Sequence, residues 1–162
     1  MEEKGVAESR VILSQVMLPQ DANTAGNVHG GVVMKHIFTA AGVVAARHSR
    51  SNAVTVSIGG LDFDNPLFAD NLLILKASVN MVRRTSMEIG VRAEAEDIPT
   101  GRLTHITSAY LTFVALDEKG TPREVPHLAL KSEDEKRREM EARFRRRTRL
   151  AERPKKKNAS SI

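Results

Sequence analysis

The residues best suited to chemistry lie between Asn27 and Gly31, in the sequence NVHGG. Asn27 offers a side-chain amide, and His29 offers an imidazole, a side chain that serves as acid or base in catalysis. Gly30 and Gly31 leave their peptide N–H groups open to close approach. At the start of a helix such groups polarise a carbonyl or bind an anion. We interpret the segment as the chemical centre, although spacing alone favours a simpler interpretation, a turn that caps a helix.

The element that must position these groups is the apolar segment that follows. Residues 32–47 contain no proline and almost no charge, and a helix of this length extends roughly 24 Å. Apolar residues fall on most of its faces, which predicts a helix in the middle of a domain. Lys35, His36 and Arg47 interrupt the segment, which is also short for a membrane span.

Five segments rich in β-branched or alternating apolar residues predict strands, at residues 10–17, 54–63, 72–82, 86–96 and 103–116. Gly59 and Gly60 predict a bulge or a close backbone approach in the second strand. Short turns join the last four strands, so we expect an antiparallel sheet that curls around the long helix, an α+β fold. A long exposed edge strand predicts pairing with a second copy of the chain.

The C-terminal part differs in composition. Ser132 and Glu135 form a capping box, which predicts a helix to about Arg149. Residues 131–162 hold 13 Lys and Arg against 6 Asp and Glu, whereas the rest of the chain holds 12 against 14. The positive charge is therefore confined to the C-terminal part and does not indicate a basic domain. We expect a charged helix at residues 128–153, which includes the basic segment 143–149, and a disordered basic tail at 154–162, which includes 155–157. Nucleic-acid binding is not expected of them.

Composition limits the chemistry. The 162 residues are enough for one domain with a core, and the absence of cysteine excludes disulfides, thiolate nucleophiles and Cys-based zinc sites. The first ten residues lack the apolar core of a signal peptide, so we expect a soluble, cytoplasmic protein without a transmembrane segment.

Three segments in this order resemble one known family: LPQDANTAGNVHGG, RRTSMEIGVRAEAED and YLTFVALDEKGTP. They are similar to the acyl-CoA thioesterase branch of the hotdog superfamily, including the brain-type cytosolic acyl-CoA hydrolases and their small bacterial relatives. The resemblance covers residues 8–127. It implies a hotdog domain, a dimer of hotdogs and often a trimer of such dimers.

The resemblance also implies an activity, hydrolysis of fatty acyl-CoA to free acid and CoA without metal or covalent cofactor. In that family the start of the helix, here Gly30 and Gly31, polarises the thioester carbonyl. The asparagine of the GNVHGG motif, here Asn27, helps to hold the carbonyl or the attacking water. A carboxylate two turns into the partner subunit's helix acts as general base.

A second segment of the family lies near the CoA phosphates. The resemblance places Arg83, Arg84, Thr85 and Ser86 there, and two arginines at a hairpin can pair with the pyrophosphate or the 3′-phosphate. An exposed, solvated turn explains the same residues equally well.

The chain departs from the family at the general base. Phe38 stands in the carboxylate's place and Thr39 beside it, and the predicted helix contains no Asp or Glu. Three outcomes follow: another base serves, with Asp21, His29 and His36 as candidates; a paralogous subunit supplies the acid; or the protein binds acyl-CoA without cleaving it well. We expect weak hydrolysis because the remaining motif is intact.

Other polar residues receive structural interpretations. Asp62, Asp64 and Asn65 are expected to cap a strand end. The five histidines lack metal-site spacing, and only His29 is assigned a site role. A second class of function stands beside the enzyme, a non-catalytic acyl-CoA binder whose basic tail contacts RNA or an anionic membrane.

Overall fold

The computed structural model describes residues 2–154. This part of the chain has an α+β fold, with two strands before the first α-helix and five strands between the two α-helices. The elements are β1 (Glu3–Gly5), β2 (Val11–Val16), α1 (Gly30–Ser49), β3 (Asn52–Ile58), β4 (Leu72–Val82), β5 (Ser86–Asp97), β6 (Arg102–Leu116), β7 (His127–Ala129) and α2 (Glu133–Glu152).

The main sheet is antiparallel and has the strand order β2-β4-β5-β6-β3. This confirms the predicted curled sheet and its five strands. The short strands β1 and β7, which the sequence analysis missed, pair in parallel as a separate two-stranded sheet.

Helix α1 packs against the inner face of the main sheet, and small residues on the helix allow the close approach. Its core-facing side chains include Val33, Ile37, Ala40, Ala41, Val44 and Ala45. The prediction of burial on nearly all faces is wrong for the single chain: the opposite stripe is exposed at Gly31, Lys35, Thr39, Val43 and Ala46. α1 also extends beyond the predicted residues 32–47 at both ends.

Strand β3 is shorter than predicted. It ends at Ile58 instead of residue 63, and its register shift lies between Thr55 and Ser57 instead of at the glycines. Gly59 makes one further bond to the Tyr110 carbonyl (3.0 Å), after which the chain leaves the sheet. Phe63 then lies against Gly30 at the start of α1, so the apolar residues after Ile58 cover the helix rather than continue the strand.

The end of α1 is closed by β1. The buried Lys4 ammonium donates to the carbonyls of His48 (3.0 Å) and Arg47 (3.4 Å), which satisfies two unpaired groups at the negative end of the helix dipole. Arg50 ends the helix in the left-handed conformation with φ 51°. His48 is buried, and its Nε2 donates to the Pro126 carbonyl (3.0 Å).

Helix α2 has the predicted capping box: Ser132 Oγ accepts from Glu135 N (3.1 Å), and the Glu135 carboxylate accepts from Ser132 N (3.2 Å). The helix runs to Glu152, slightly past the predicted end. It lies on the outer face of the main sheet, where Arg149 donates to Thr112 Oγ1 (3.0 Å). Residues 155–162 of the predicted disordered tail lie outside the described residues.

Candidate active site

The segment before α1 is a compact turn organised by Asn23. Its Oδ1 accepts from the amides of Ala25 (3.0 Å) and Asn27 (3.2 Å), and its own N–H donates to the Asn27 carbonyl (2.8 Å). Gly26 supplies the positive φ of 88° that the turn requires. Within residues 2–154, the Asn23 Nδ2 and the Asn27 side-chain amide have no hydrogen-bond partner, so both can bind a ligand.

Two backbone bonds fix this turn to neighbouring loop segments. Val28 N donates to the Leu67 carbonyl (2.7 Å) and His29 N to the Asp21 carbonyl (3.0 Å). Val28 is buried, whereas His29 is the exposed N-cap residue and its side chain does not cap the helix. The start of α1 is therefore held rigidly while the imidazole faces solvent.

Gly30 and Gly31 begin α1 and carry peptide N–H groups with no partner in residues 2–154. A Cβ on Gly30 would lie 3.4 Å from the Phe63 ring, so this position is packed. A Cβ on Gly31 would meet nothing within 4 Å. Free donors, a positive helix dipole and open space thus coincide at Gly31, where a carbonyl oxygen can approach.

The middle of α1 lacks a carboxylate, since its sequence GGVVMKHIFTAAGVVAARHS contains no Asp or Glu. Phe38 is partly buried and packs against the core cluster. The Thr39 hydroxyl is bonded back to the Lys35 carbonyl (3.0 Å). Neither residue can act as a general base at neutral pH.

The three candidate bases named from the sequence differ in environment. Asp21 Oδ2 already accepts from Leu18 N (2.8 Å), which gives the carboxylate a local structural role. His29 lies next to Gly30 and is exposed, and His36 is half-buried on the first turns of α1. The structure thus leaves His29 and His36 without a structural hydrogen bond among the described residues.

Residues 83–86 lie at the opposite end of the sheet from Gly30 and Gly31. Ser86 pairs with Val114, and the neighbouring Leu116 pairs with Asn52, the first residue of β3 after α1 ends. The Asn27–Phe68 bridge, in contrast, lies beside the start of β4. Since α1 spans about 30 Å, one chain does not bring the two predicted groups together.

The hairpin itself is firmly placed. The Arg84 carbonyl accepts from Val125 N (3.0 Å), and the Thr85 carbonyl from Ala115 N (3.0 Å). The Arg84 guanidinium lies 3.7 Å from the Glu124 carboxylate, and both side chains are largely exposed. Such an exposed pair is weak, so a phosphate can replace the carboxylate.

Strand β3 is one edge of the main sheet and exposes three apolar side chains: Val54 39%, Val56 57% and Ile58 36%. Thr55 lies between them and pairs with the buried Phe113, so the two share the inner face that α1 covers. The Thr55 hydroxyl is therefore exposed at an open strand edge beside the helix.

No group of three or more side chains that could hold a metal ion occurs within the described part of the chain. Neither α-helix in residues 2–154 is both long and apolar enough to cross a bilayer.

Comparison with known proteins identifies relatives along most of the chain. The thioesterase superfamily matches residues 25–101. An acyl-CoA thioester hydrolase of Bacillus subtilis, described as uncharacterised, is 35% identical over 128 residues, which are 79% of this chain and 74% of that protein. The cytosolic acyl coenzyme A thioester hydrolase of Mus musculus is 34% identical over 82% of this chain, but the chain spans only 35% of that longer protein.

Solved structures show the same architecture. The acyl-CoA hydrolase of Staphylococcus aureus, solved with butyryl coenzyme A, has a TM-score of 0.86 and 31% identity over 92% of this chain and 91% of that chain. An apo-hexameric acyl-CoA thioesterase has a TM-score of 0.88 and 36% identity, over 94% of this chain and all of the other.

Three further structures of the S. aureus protein carry alanine in place of an asparagine, an aspartate and a threonine. The spacings between these three residue numbers equal those between Asn23, Phe38 and Thr55 in this chain. Neither Asn23 nor Thr55 was among the site residues predicted from the sequence. Asn23 could have been considered because it precedes the helix within the same motif as Asn27, but nothing in the strand pattern marks Thr55.

Proposed function

Because this chain belongs to the hotdog-fold acyl-CoA thioesterases of the thioesterase superfamily, we propose that it hydrolyses fatty acyl-CoA to the free fatty acid and CoA. The observation that carries the proposal is the pair of free N–H groups at Gly30 and Gly31, with open space in front of Gly31. The reaction needs acyl-CoA and water, and the proposal includes no cofactor.

The chemistry follows from the position of these donors. Attack of water on the thioester carbon moves negative charge onto the carbonyl oxygen, and N–H groups held by the helix stabilise that charge without reorganising. The free side-chain amides of Asn23 and Asn27 lie in the preceding turn, where either can hold the carbonyl or orient the water. His29 is the nearest imidazole to these groups.

The complete site requires two copies of the chain. A two-fold axis through the apolar edge of β3 would extend the sheet antiparallel and invert the second copy. The start of α1 in one copy and residues 83–86 of the other would then lie at the same end of the joint sheet. The exposed side chains of Val54, Val56 and Ile58 support this pairing, and the hexameric relative supports further association of such dimers.

Residues 83–86 provide the contacts to CoA in this arrangement. Arg83 and Arg84 would pair with its phosphates, while Thr85 and Ser86 offer hydroxyl donors at the same hairpin. We expect Arg84→Glu to raise KM for acyl-CoA severalfold and to leave kcat nearly unchanged, because the guanidinium binds a distant part of the substrate. An unchanged KM would show that this hairpin is an exposed, solvated turn that does not bind CoA.

Phe38 sets the expected rate. A positioned general base contributes about 10²–10⁴-fold, so its loss predicts slow hydrolysis by the homo-oligomer. His29, His36 or Asp21 would serve as a weaker base, or a paralogous subunit would supply the acid. The same phenylalanine favours a second candidate function, an acyl-CoA binding protein that does not hydrolyse its ligand.

We place the activity in the cytoplasm. The support is the mouse relative, whose name describes it as cytosolic.

Steady-state release of CoA from palmitoyl-CoA by the purified protein tests the proposal. We expect a rate above buffer that falls to background in the Gly31→Leu variant, whose side chain occupies the open space. Tight binding of palmitoyl-CoA with no release of CoA would instead establish the binding protein.

Mixing variants tests the composite site. A protein with Gly31→Leu and a protein with Arg83→Glu and Arg84→Glu are each impaired, but a mixed dimer carries one site with neither change. Activity should therefore reappear after the two are unfolded and refolded together. Gly31→Leu mixed with Asn23→Ala is the matched control, because both changes lie at the same end and should impair both sites of a mixed dimer.

A further inference from the structure

Three side chains on the outer face of the main sheet form a connected carboxylate, imidazole and hydroxyl. Asp64 Oδ2 lies 2.9 Å from His105 Nδ1, and His105 Nε2 lies 3.0 Å from Ser108 Oγ. Because the carboxylate only accepts, Nδ1 carries the imidazole proton and Nε2 accepts from the Ser108 hydroxyl. This is the connectivity of a serine nucleophile with its base and orienting acid.

A local irregularity of β6 creates the arrangement. His105 and Ser108 are three residues apart and would face opposite sides of a regular strand. Thr107 pairs with Ala93 and His105 with Glu94, so Ile106 is an extra residue without a partner on β5. This bulge turns His105 to the same face as Ser108.

The loop that carries Asp64 is fixed to β6 by three hydrogen bonds. Asp64 N donates to the Ile106 carbonyl (2.8 Å), and Asn65 Nδ2 to the His105 carbonyl (2.8 Å). The Thr107 hydroxyl donates to the Asp62 carbonyl (2.7 Å). These bonds hold the carboxylate beside the imidazole, so the arrangement does not depend on side-chain contacts alone.

Ser108 lines a cleft of about 590 Å³ between the outer face of the sheet and α2. Basic side chains dominate its wall, and Glu141 is the one acidic residue among them. The basic residues are Arg10, Lys76, Arg92, Arg137, Arg138 and Arg145.

Part of this positive charge is already neutralised. Glu94 pairs with Lys76 (2.8 Å) and Arg92 (3.4 Å), and its hydrogen bond to Lys76 lowers the pKa of its carboxyl group, which keeps it ionised. Arg145 pairs with the buried Glu88 (2.6 Å). Arg10 and Arg138 have no ion-pair partner in residues 2–154, so they are free to bind an anion.

We propose that Ser108 is the nucleophile of a second hydrolytic site, specific for carboxylic esters that carry a negatively charged group. His105 is its general base, and Asp64 is a positioning residue. The site lies on the face of the sheet opposite α1, so it is separate from the acyl-CoA site and goes beyond the proposed thioesterase function.

The reaction balances with water as the co-reactant. Ser108 Oγ attacks the ester carbon while its proton moves to His105 Nε2. The carbon–oxygen bond of the ester then breaks, and the leaving alkoxide takes that proton to depart as the alcohol. Water next attacks the acyl-serine, gives a proton to His105, and releases the acid as the proton returns to Ser108.

Labelling with a fluorophosphonate tests the nucleophile directly. Intact mass and peptide mapping should show one adduct on Ser108, absent in Ser108→Ala. Ser78→Ala is the matched control, because Ser78 lines the same cleft but has no histidine partner among the described residues. The Ser78 variant should label at the wild-type rate. Absence of labelling in the wild type would overturn the proposal.

A second measurement does not depend on the serine chemistry. The chain has no cysteine, so Ser108→Cys and Ser78→Cys each introduce a single thiol. At neutral pH, iodoacetamide should alkylate Ser108→Cys at least about tenfold faster than Ser78→Cys, because His105 promotes thiolate formation. Equal rates would contradict the role of His105.

The positioning residue and the charge preference have their own tests. Asp64→Asn should slow labelling of Ser108 at least about tenfold, and Asp64→Glu should restore part of the labelling rate, which a purely structural role would not predict.

Mono(4-nitrophenyl) succinate should be a better substrate than 4-nitrophenyl butyrate, and Arg138→Glu should remove the preference. Equal kcat/KM for both esters in the wild type would refute the anion specificity.

Discussion

At the residue scale, Gly30 and Gly31 differ in the space that a side chain would meet. Gly30 lies under the Phe63 ring, where an added Cβ would touch the ring at 3.4 Å. Gly31 contacts nothing that a Cβ would meet, and its helical backbone does not require glycine. The proposed site gives Gly31 a reason to lack a side chain, because the thioester carbonyl needs that space in front of the free N–H groups.

We therefore expect Gly31→Ala to stabilise the folded protein and to lower its thioesterase activity. Alanine should add about 0.5 kcal/mol to the free energy of unfolding, because glycine loses more backbone entropy in a helix. The methyl group should lower kcat/KM for palmitoyl-CoA at least about tenfold by holding the carbonyl away from the N–H groups. Thermal unfolding and CoA release measure the two effects.

Gly42→Ala is the matched control, since it lies on the same helix and its Cβ would also meet nothing within 4 Å. It should stabilise the protein without loss of activity. Equal loss of activity in both variants would show that the effect is not local to the helix start.

The second prediction at this scale concerns the missing general base at position 38. Phe38→Asp should raise kcat about 100-fold, because it supplies a carboxylate in the position where the family has one. The lost packing should cost about 2 kcal/mol of unfolding free energy. Phe38→Asn has the same shape without a base, and a similar rise in its kcat would refute the explanation.

The chemistry-bearing residues were only partly predictable. Gly30 and Gly31 could be proposed because a double glycine before an apolar helix leaves free N–H groups at its start, although spacing alone favours a turn that caps the helix. The placement of Thr55 and of His105 could not be predicted, because it depends on which face of a strand each side chain occupies. A register shift in β3 and the bulge at Ile106 decide those faces, and neither leaves a mark in the hydrophobic pattern.

At the element scale, the long strands and both α-helices followed from periodicity and capping residues. The end of β3 did not, because Leu61 and Phe63 continue an apolar alternation although they leave the sheet to pack elsewhere. The β1–β7 pair was also missed: each strand has three residues, too few for a detectable period, and their partners are distant in sequence.

The buried His48, at the C-terminal end of α1, predicts that the stability of the protein depends on pH. Burial lowers the pKa of His48 from its usual 6.5, and the charge of Lys4 acts in the same direction. The unfolded chain therefore binds a proton more readily than the folded protein below about pH 6.5, so this contribution to stability is complete above that value and is lost as pH falls.

Denaturant unfolding between pH 7 and pH 5 measures the effect. The unfolding free energy of the wild type should fall by up to about 1.4 kcal/mol per pH unit more steeply than that of His48→Gln. Parallel pH profiles for the two proteins would show that His48 is not the group responsible.

At the scale of the whole molecule, the proposed two-copy site predicts that association through β3 is required for activity. Val56→Lys places a charge on the exposed apolar edge and should give a folded protein of half the mass by light scattering, with no thioesterase activity. Ile12→Lys, on the other edge strand and 61% exposed, is the matched control and should leave the β3 dimer intact. Dimeric Val56→Lys with full activity would place the interface elsewhere.

The most direct measurement is a crystal structure of the protein with a non-hydrolysable acyl-CoA analogue. In this analogue a methylene group replaces the thioester sulfur, and the carbonyl group is kept. We expect the carbonyl oxygen about 2.7–3.1 Å from the amide nitrogen of Gly30 or Gly31, with the phosphates beside residues 83–86 of the second copy. A carbonyl bound away from the start of α1, or phosphates contacting residues 83–86 of the same copy, would contradict it.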